Sequence, residues 1–535
     1  HKRFLVWSLV VAVVFSVSAQ AAPAEPMAGV TDKWRHLQSP HFDLYSQENE
    51  RVARKQLFNL EVLHAVFFDK FQFIERRRTP MTVYAFTDDK AFATYLEKGF
   101  KGDRVGGFFL PGYERDLIGM SQSYNDEVSR EMIFHEFIHR LGRATGTPLP
   151  AWYEEGLAEL FSTIQVDLKT NSAIVGKHSE WRVLAAFGKK FLPMEQLFGV
   201  DYASPIYVES KHAGMFYVQS WATLHYWMFG RSDLPAGAAT KFLDLLVQRP
   251  APEGAKLREE FKTAFGIDYP EMQRRIERYL SGGKYHMIQW ALPKIPAESS
   301  YSVRSVPRDE IRLRLAGLAL RVNHAPHAKK ILIDETVKAD PDMRSLEALG
   351  AMAMQDEDRD RALDLWSQAI ERGSENPAVF RLVSNIEFSR HLESFTYDHR
   401  LPVSVTERMR LLLTRSLALE PEQALAYERL AIVEALSEKP SVRNLNLVQR
   451  NLSRVDELHM TVMMLALATH RLGDTGKALE LLDVLAKQSP ETAGLAALRD
   501  HILGKSHDGA ADPLAGLGRT RGAERGDAGE EETAR

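Results

Sequence analysis

The segment His135-Glu136-Phe137-Ile138-His139 sets two imidazoles four residues apart, with a carboxylate beside the first. On a helix, residues four apart share a face, so both rings can reach one ion. Glu136 lies about 100° round from His135, where it can touch a water at that ion without being a ligand. A string of this form arises from composition alone with a chance of roughly 5% in a chain of this length, so its surroundings must support it. Support comes at Glu155-Gly156-Leu157-Ala158-Glu159. A catalytic zinc takes three protein ligands and keeps one position open, and a carboxylate from a neighbouring helix can be the third. Glu155 is placed for that role. Glu159, one turn on, can accept a hydrogen bond from the outer nitrogen of a ligand histidine and fix its tautomer. Gly156 would let the two helices approach closely. The chain has no cysteine, which excludes disulfides, thiol catalysis, Cys-ligated zinc and lipoprotein anchoring. Any metal must therefore sit on histidines and carboxylates. His36, His41, His64, His178, His212 and His225 have no ligand spacing and read as surface or core.

The elements that must position these groups follow from the pattern of apolar residues. The alternation from Trp34 to Ser46 suits a strand, and Glu50 to Phe73 turns to helical spacing. Met81 to Phe86 predicts a second strand and Lys90 to Lys98 a helix. Gly106 to Met120 predicts a hairpin or paired strands around Pro111-Gly112. The His-bearing helix is predicted from about Glu127 to Leu141, broken by Gly142, Gly146, Pro148 and Pro150. The Glu-bearing helix follows from Ala151 to about Ile164. Ala213 to Phe229 is a strongly apolar helix, and Ala238 to Leu280 supplies several more. Residues 293–308, with prolines and serines, predict a linker between two separable bodies.

Beyond that point helix follows helix. Gly350, Ala362 and Ala369 fall where a tetratricopeptide unit of about 34 residues places small side chains for its crossing helices. Gly473, Ala478 and Pro490 reproduce parts of the same frame, and Gly317 fits an earlier unit. The stretch from Leu401 to Val455 matches poorly and reads as carrying an insertion. The fold expected is therefore an α+β domain over 22–292 followed by an all-α, tetratricopeptide-like solenoid over 309–504. Residues 505–535, rich in Gly, Ala and charge, read as a disordered tail.

With 535 residues the chain is long enough for about two to four units. Its 68 Lys and Arg nearly balance 72 Asp and Glu, so no electrostatic footprint argues for nucleic acid or an anionic membrane as partner. Lys2 and Arg3, the apolar run Phe4 to Val17 and Ser18-Ala19-Gln20-Ala21 predict a signal peptide over 1–21, cleaved after Ala21. That run is shorter than the roughly 20 apolar residues a membrane span needs. The expected location is the periplasm or outside the cell, with no stable membrane anchor after cleavage.

At these residues the chain resembles the gluzincin metallopeptidases, among them thermolysin-like enzymes and the aminopeptidase N group, which pair H-E-x-x-H with a downstream Glu. Pro150-Ala151-Trp152-Tyr153-Glu154-Glu155-Gly156-Leu157-Ala158-Glu159 looks like the P-x-W-x-x-E-G-x-A-E element of the bacterial peptidase-MA-like proteins, several of which are fused to tetratricopeptide repeats. The resemblance covers about residues 32 to 285, and its specific part is confined to 135 to 159. It implies a zincin-like fold for the first domain. It assigns His135, His139 and Glu155 as zinc ligands, with the motif phase favouring Glu155 over Glu154, and Glu136 as general base. Tyr217, in Tyr217-Val218-Gln219-Ser220, resembles the family's helix tyrosine, whose phenol stabilises an oxyanion; packing is its alternative role. Fewer residues separate His139 from Glu155 than in the aminopeptidase N group. That group's G-x-M-E-N element is also missing, the nearest stretch being Gly106-Gly107-Phe108-Phe109-Leu110, so the resemblance favours an endopeptidase.

Together these readings predict an exported zinc peptidase with a peptide or protein substrate and helical repeats that recruit substrate or a protein partner. The alternatives are a catalytically quiet scaffold working through the repeats, and a zinc hydrolase of non-peptide amides.

Overall fold

A computed structural model of the chain describes residues 28–505, apart from 72–79, 97–106, 122–125, 145–148, 168, 179–189, 202–203, 209, 231–233, 248–252, 324, 392–395 and 491. The expected signal peptide and nearly all of the expected tail lie outside the described residues.

The N-terminal part is built on a six-stranded sheet in the order β4-β5-β3-β2-β1-β9. The strands are β1 (Arg35–Gln38), β2 (Phe42–Ser46), β3 (Met81–Phe86), β4 (Gly107–Leu110), β5 (Asp116–Ser121) and β9 (Ser302–Ser305). The stretch Trp34 to Ser46, expected as one strand, is an antiparallel pair, because the turn at Ser39-Pro40 reverses the chain. β2, β3 and β5 run parallel, while β4 closes back on β5 as the expected hairpin. A small antiparallel sheet, β6 (Gln165–Asp167), β7 (Ser172–Val175) and β8 (Ile288–Ala291), lies apart from it.

Strand side chains alternate between faces, and both faces of the large sheet are covered. On one, Leu37, Phe42, Leu44, Val83, Phe109 and Ile118 share a core with α1 (Glu50–Phe71), α3 (Asp126–Ala144), α4 (Ala151–Ser162) and the helix Ser210–Phe229. On the other, Tyr45, Tyr84, Phe86, Phe108, Leu110 and Leu117 pack with α2 (Asp89–Ala93) and with helices drawn from Arg308–Asn323 to Pro377–His391. The helical C-terminal part thus begins as the third layer of an α/β/α arrangement.

Residues 293–308 are not a linker. β9 pairs with β1 along its whole length, Val303 opposite Leu37, and Tyr301 is buried in the first core. The reason is local need: without β9, the edge of β1 would present unpaired backbone groups. The chain therefore does not divide into two bodies at 293–308.

After β9, the elements among the described residues are helices as far as Ile502. Gly350 carries no Cβ where Trp366 crosses; an added one would lie 2.4 Å from the indole nitrogen, which donates to the Glu347 carbonyl at 3.0 Å. The last helices, from Val403–Leu419 onward, form a core of their own. No helix among the described residues is long and apolar enough to cross a membrane.

Candidate metal centre

α3 is seated on the sheet through Ile133, Phe134, Phe137, Ile138 and Leu141, and the Phe137 ring meets Phe42 edge-on at 5.2 Å. It continues through Gly142 to Ala144 before the break. With that apolar side turned to the sheet, His135 and His139 share the face toward α4. α4 starts at the Pro150 break, where the Pro150 carbonyl takes the Tyr153 and Glu154 amides at 2.9 and 3.0 Å. Every residue of α4 is buried, because it lies between α3 and the helix Ser210–Phe229.

Gly156 serves the second of those contacts, not the first as expected. A Cβ there would come within 2.8 Å of the Ser220 carbonyl oxygen and 3.3 Å of Leu224. The glycine brings α4 against the helix that carries Tyr217. That packing places Glu155, its chain neighbour, toward α3.

Three atoms converge between α3 and α4. His135 Nε2 and His139 Nε2 are 3.2 Å apart, and Glu155 Oε2 is 3.3 Å from each. The outer nitrogens face carboxylates: His135 Nδ1 is 3.1 Å from Glu159, and His139 Nδ1 is 3.1 Å from Glu154. Carboxylates at Nδ1 hold the ring protons there, so in the neutral imidazoles both Nε2 lone pairs point at each other and at Glu155. Such an arrangement is repulsive until a proton or a metal ion lies among the three. Bonds of about 2.0–2.1 Å at tetrahedral angles set ligand atoms about 3.3 Å apart, which is the spacing here. Among the described residues, this is the one group of three or more histidines and acids found with ligand atoms all within 4.8 Å of one another.

The electrostatics agree with that fit. Glu154, Glu155 and Glu159 are all buried, Glu155 at 0% exposure. Buried carboxylates are retained only when paired or metal-bound. Burial resists ionisation of Glu155, but His139 and His135 overcome it and hold the carboxyl well below its usual range. Burial likewise opposes charge on His139, and Glu155 followed by Glu154 outweighs it, raising the imidazole well above its usual value. The pocket thus favours positive charge, which a divalent ion would supply by displacing the proton that His139 otherwise holds. The residues present fit zinc. No family model matches the chain, and no curated protein is significantly similar to it.

Glu136, expected beside the ligands, is half-buried on α3 where His135 and His139 are buried. Tyr217 is buried on the helix Ser210–Phe229 with its ring 6.1 Å from that of His135. Glu159 meets His135. Glu154, which sequence reasoning weighed only as a competing ligand, faces the outer nitrogen of His139 instead. The signal for it was present, since consecutive helix residues differ by about 100° and can flank one ring from two sides.

Three of the other histidines are engaged elsewhere. His36 meets Asp43 at 3.0 Å, His41 meets Glu61 at 2.6 Å and His225 bridges Gly176 and Tyr279.

Proposed function

We propose that the protein is a zinc-dependent endopeptidase, and the observation that carries the reading is the convergence of His135 Nε2, His139 Nε2 and Glu155 Oε2 with Glu136 next in sequence to the first ligand. When bound, zinc supplies Lewis-acid chemistry, making a water more acidic and a peptide carbonyl more electrophilic. Glu136 takes the proton as the water oxygen bonds to the carbonyl carbon. It returns that proton to the nitrogen as the C–N bond breaks, so one water is consumed and a carboxylate and an amine are formed. Tyr217 donates its phenol hydrogen to the carbonyl oxygen as charge gathers there. Glu154 and Glu159 hold the two Nδ1 protons and so fix which nitrogens face inward.

Tetratricopeptide-like pairing of the C-terminal helices, supported by the Gly350–Trp366 crossing, gives that part the role of recruiting a protein substrate or partner. The basic, apolar and small-residue order of the first 21 residues supports action in the periplasm or outside the cell.

The test is Glu136→Gln, which keeps size and helix geometry and removes the basic carboxylate. Zinc content should be unchanged, while cleavage of a denatured protein mixture should fall by a factor of about 10² to 10⁴. Tyr217→Phe should lower kcat by about tenfold or more with zinc retained. Turnover in Glu136→Gln within a few-fold of the wild type would overturn the mechanism, and a wild type with no chelator-sensitive cleavage would favour a quiet scaffold.

A further inference from the structure

The turn between β4 and β5, residues Pro111 to Arg115, is gripped by the C-terminal helices. Arg321, on the helix Arg308–Asn323, donates from Nη2 to the Pro111 carbonyl at 2.6 Å, and its Nη1 lies 3.3 Å from the Glu114 carboxylate. Its guanidinium lies so close to the turn that a Cβ on Gly112 would come within 2.7 Å of it. Asn376 donates from Nδ2 to the Glu114 carbonyl at 2.9 Å, and Glu347 lies 3.6 Å from Arg115. Arg321, Glu114, Asn376 and Glu347 are all buried.

The same turn reaches the metal helix from its other end. The Gly112 amide donates to Asp116 Oδ1 at 3.1 Å, and Asp116 Oδ2 accepts from Arg140 Nε at 3.1 Å. Arg140 follows His139 directly, and it and Asp116 are both buried. β4 also rests directly on α3, since a Cβ on Gly107 would lie 3.3 Å from Ile133. Apolar packing alone fixes how deeply a helix is seated, while directional bonds to a buried charge fix its position along and about its axis.

We propose that the C-terminal helices are a working part of the metal site. Arg321 and Asn376 hold the turn, the turn holds Asp116, and Asp116 holds α3 through Arg140 at the point that carries His139. Arg321, Asn376 and Arg140 are positioning residues; none touches the ion. The inference rests on the reading of His135, His139 and Glu155 as a metal site.

The experiment uses the full chain loaded with Co2+ in place of zinc, whose visible absorption reports ligand geometry without any substrate. Arg321→Met should shift the Co2+ band and weaken Co2+ binding by about tenfold, as loss of a supporting contact to a ligand does. Arg321→Lys, which restores the charge and a donor, should recover most of the loss. Arg140→Met should match Arg321→Met, and the double variant should lose no more than either alone, because both act along one chain of contacts. Should Arg321→Met fail to fold, Asn376→Ser removes the Nδ2 hydrogen bonds to the Glu114 carbonyl and to Glu347 and should move the band in the same direction. Unchanged Co2+ affinity and spectrum in the folded variants, or fully additive losses, would overturn the proposal. A wild type that binds Co2+ with these effects but cleaves no peptide would sink the peptidase reading and leave the coupling standing. A wild type that takes up no Co2+ would sink both.

Discussion

Glu154 and Glu155 are neighbours in the chain and serve opposite nitrogens of one ring: Glu155 Oε2 is 3.3 Å from His139 Nε2, and Glu154 Oε1 is 3.1 Å from His139 Nδ1. The rotation of about 100° between consecutive helix residues lets two adjacent carboxylates flank the imidazole as ligand partner and as support. Their substitutions should therefore differ in degree. Glu155→Ala, like His135→Ala or His139→Ala, should abolish tight zinc binding, because an open site has three protein ligands to lose. Glu154→Ala and Glu159→Ala should each weaken zinc by about 10- to 100-fold, read by competition with a chelator. Equal zinc affinity in Glu155→Ala and the wild type would move the third ligand elsewhere.

Gly156→Ala tests the packing that places Glu155. The new methyl would meet the Ser220 carbonyl at 2.8 Å, and a backbone atom cannot swing aside as a flexible side chain can. Overpacking of this kind costs about 1–3 kcal/mol. Thermal melting should fall accordingly, and zinc affinity should fall with it as α4 is pushed from the helix Ser210–Phe229. A melting temperature equal to the wild type would show that the two helices separate at no cost.

Ending the chain at Pro307 would remove the C-terminal helices from the sheet face that carries Tyr45, Tyr84, Leu110 and Leu117, leaving only α2 on part of it. A contiguous apolar sheet face of that kind does not stay solvated in a monomer. The fragment should aggregate or bind a hydrophobic dye strongly, and mild proteolysis of the full chain should spare residues 293–308. A soluble fragment with a cooperative melt would show that the first two layers suffice.

Acid should weaken the fold partly through His225. Its Nε2 donates to the Gly176 carbonyl and its Nδ1 accepts from the Tyr279 hydroxyl, each at 2.8 Å. Burial, with His178 and His286 acting in the same direction, pushes its pKa down to about 4 from 6.5. The unfolded chain takes the proton first, so stability is full above about pH 6.5 and declines as pH falls toward about 4, by about 3 kcal/mol at most. His225→Phe should be less stable at pH 8 and show a shallower acid slope in urea midpoints. An identical slope would assign the acid sensitivity to other groups.

What the sequence made legible were elements with local signatures. α3 and α4 announced themselves by ligand spacing and by the prolines and glycines between them, Met81 to Phe86 by its apolar run, and the β4–β5 hairpin by Pro111-Gly112. What stayed hidden depends on partners far along the chain. β9 is four residues, Ser302-Val303-Arg304-Ser305, with little apolar character, and only its pairing with β1 makes it a strand. Nothing local marks Asp43, Arg115 and Arg321 for enclosure; Arg344, Glu347 and Glu114 meet them from other segments. Gly156 read as a contact for α3 because the third helix of the stack was too distant in sequence to weigh.

β9 also fixes when during synthesis this molecule can become itself. β1 leaves the ribosome early, yet its outer edge waits for a strand some 265 positions later, and Asp43 waits 301 positions for Arg344. Contacts of such long sequence separation form late, since loop closure must come before any of them is gained. If the turn at Pro111 is held only once Arg321 and Asn376 have emerged, the nascent chain carries its histidines long before it carries the frame that aims them. A metal site assembled in that order stays unformed until the last layer of the fold has been made.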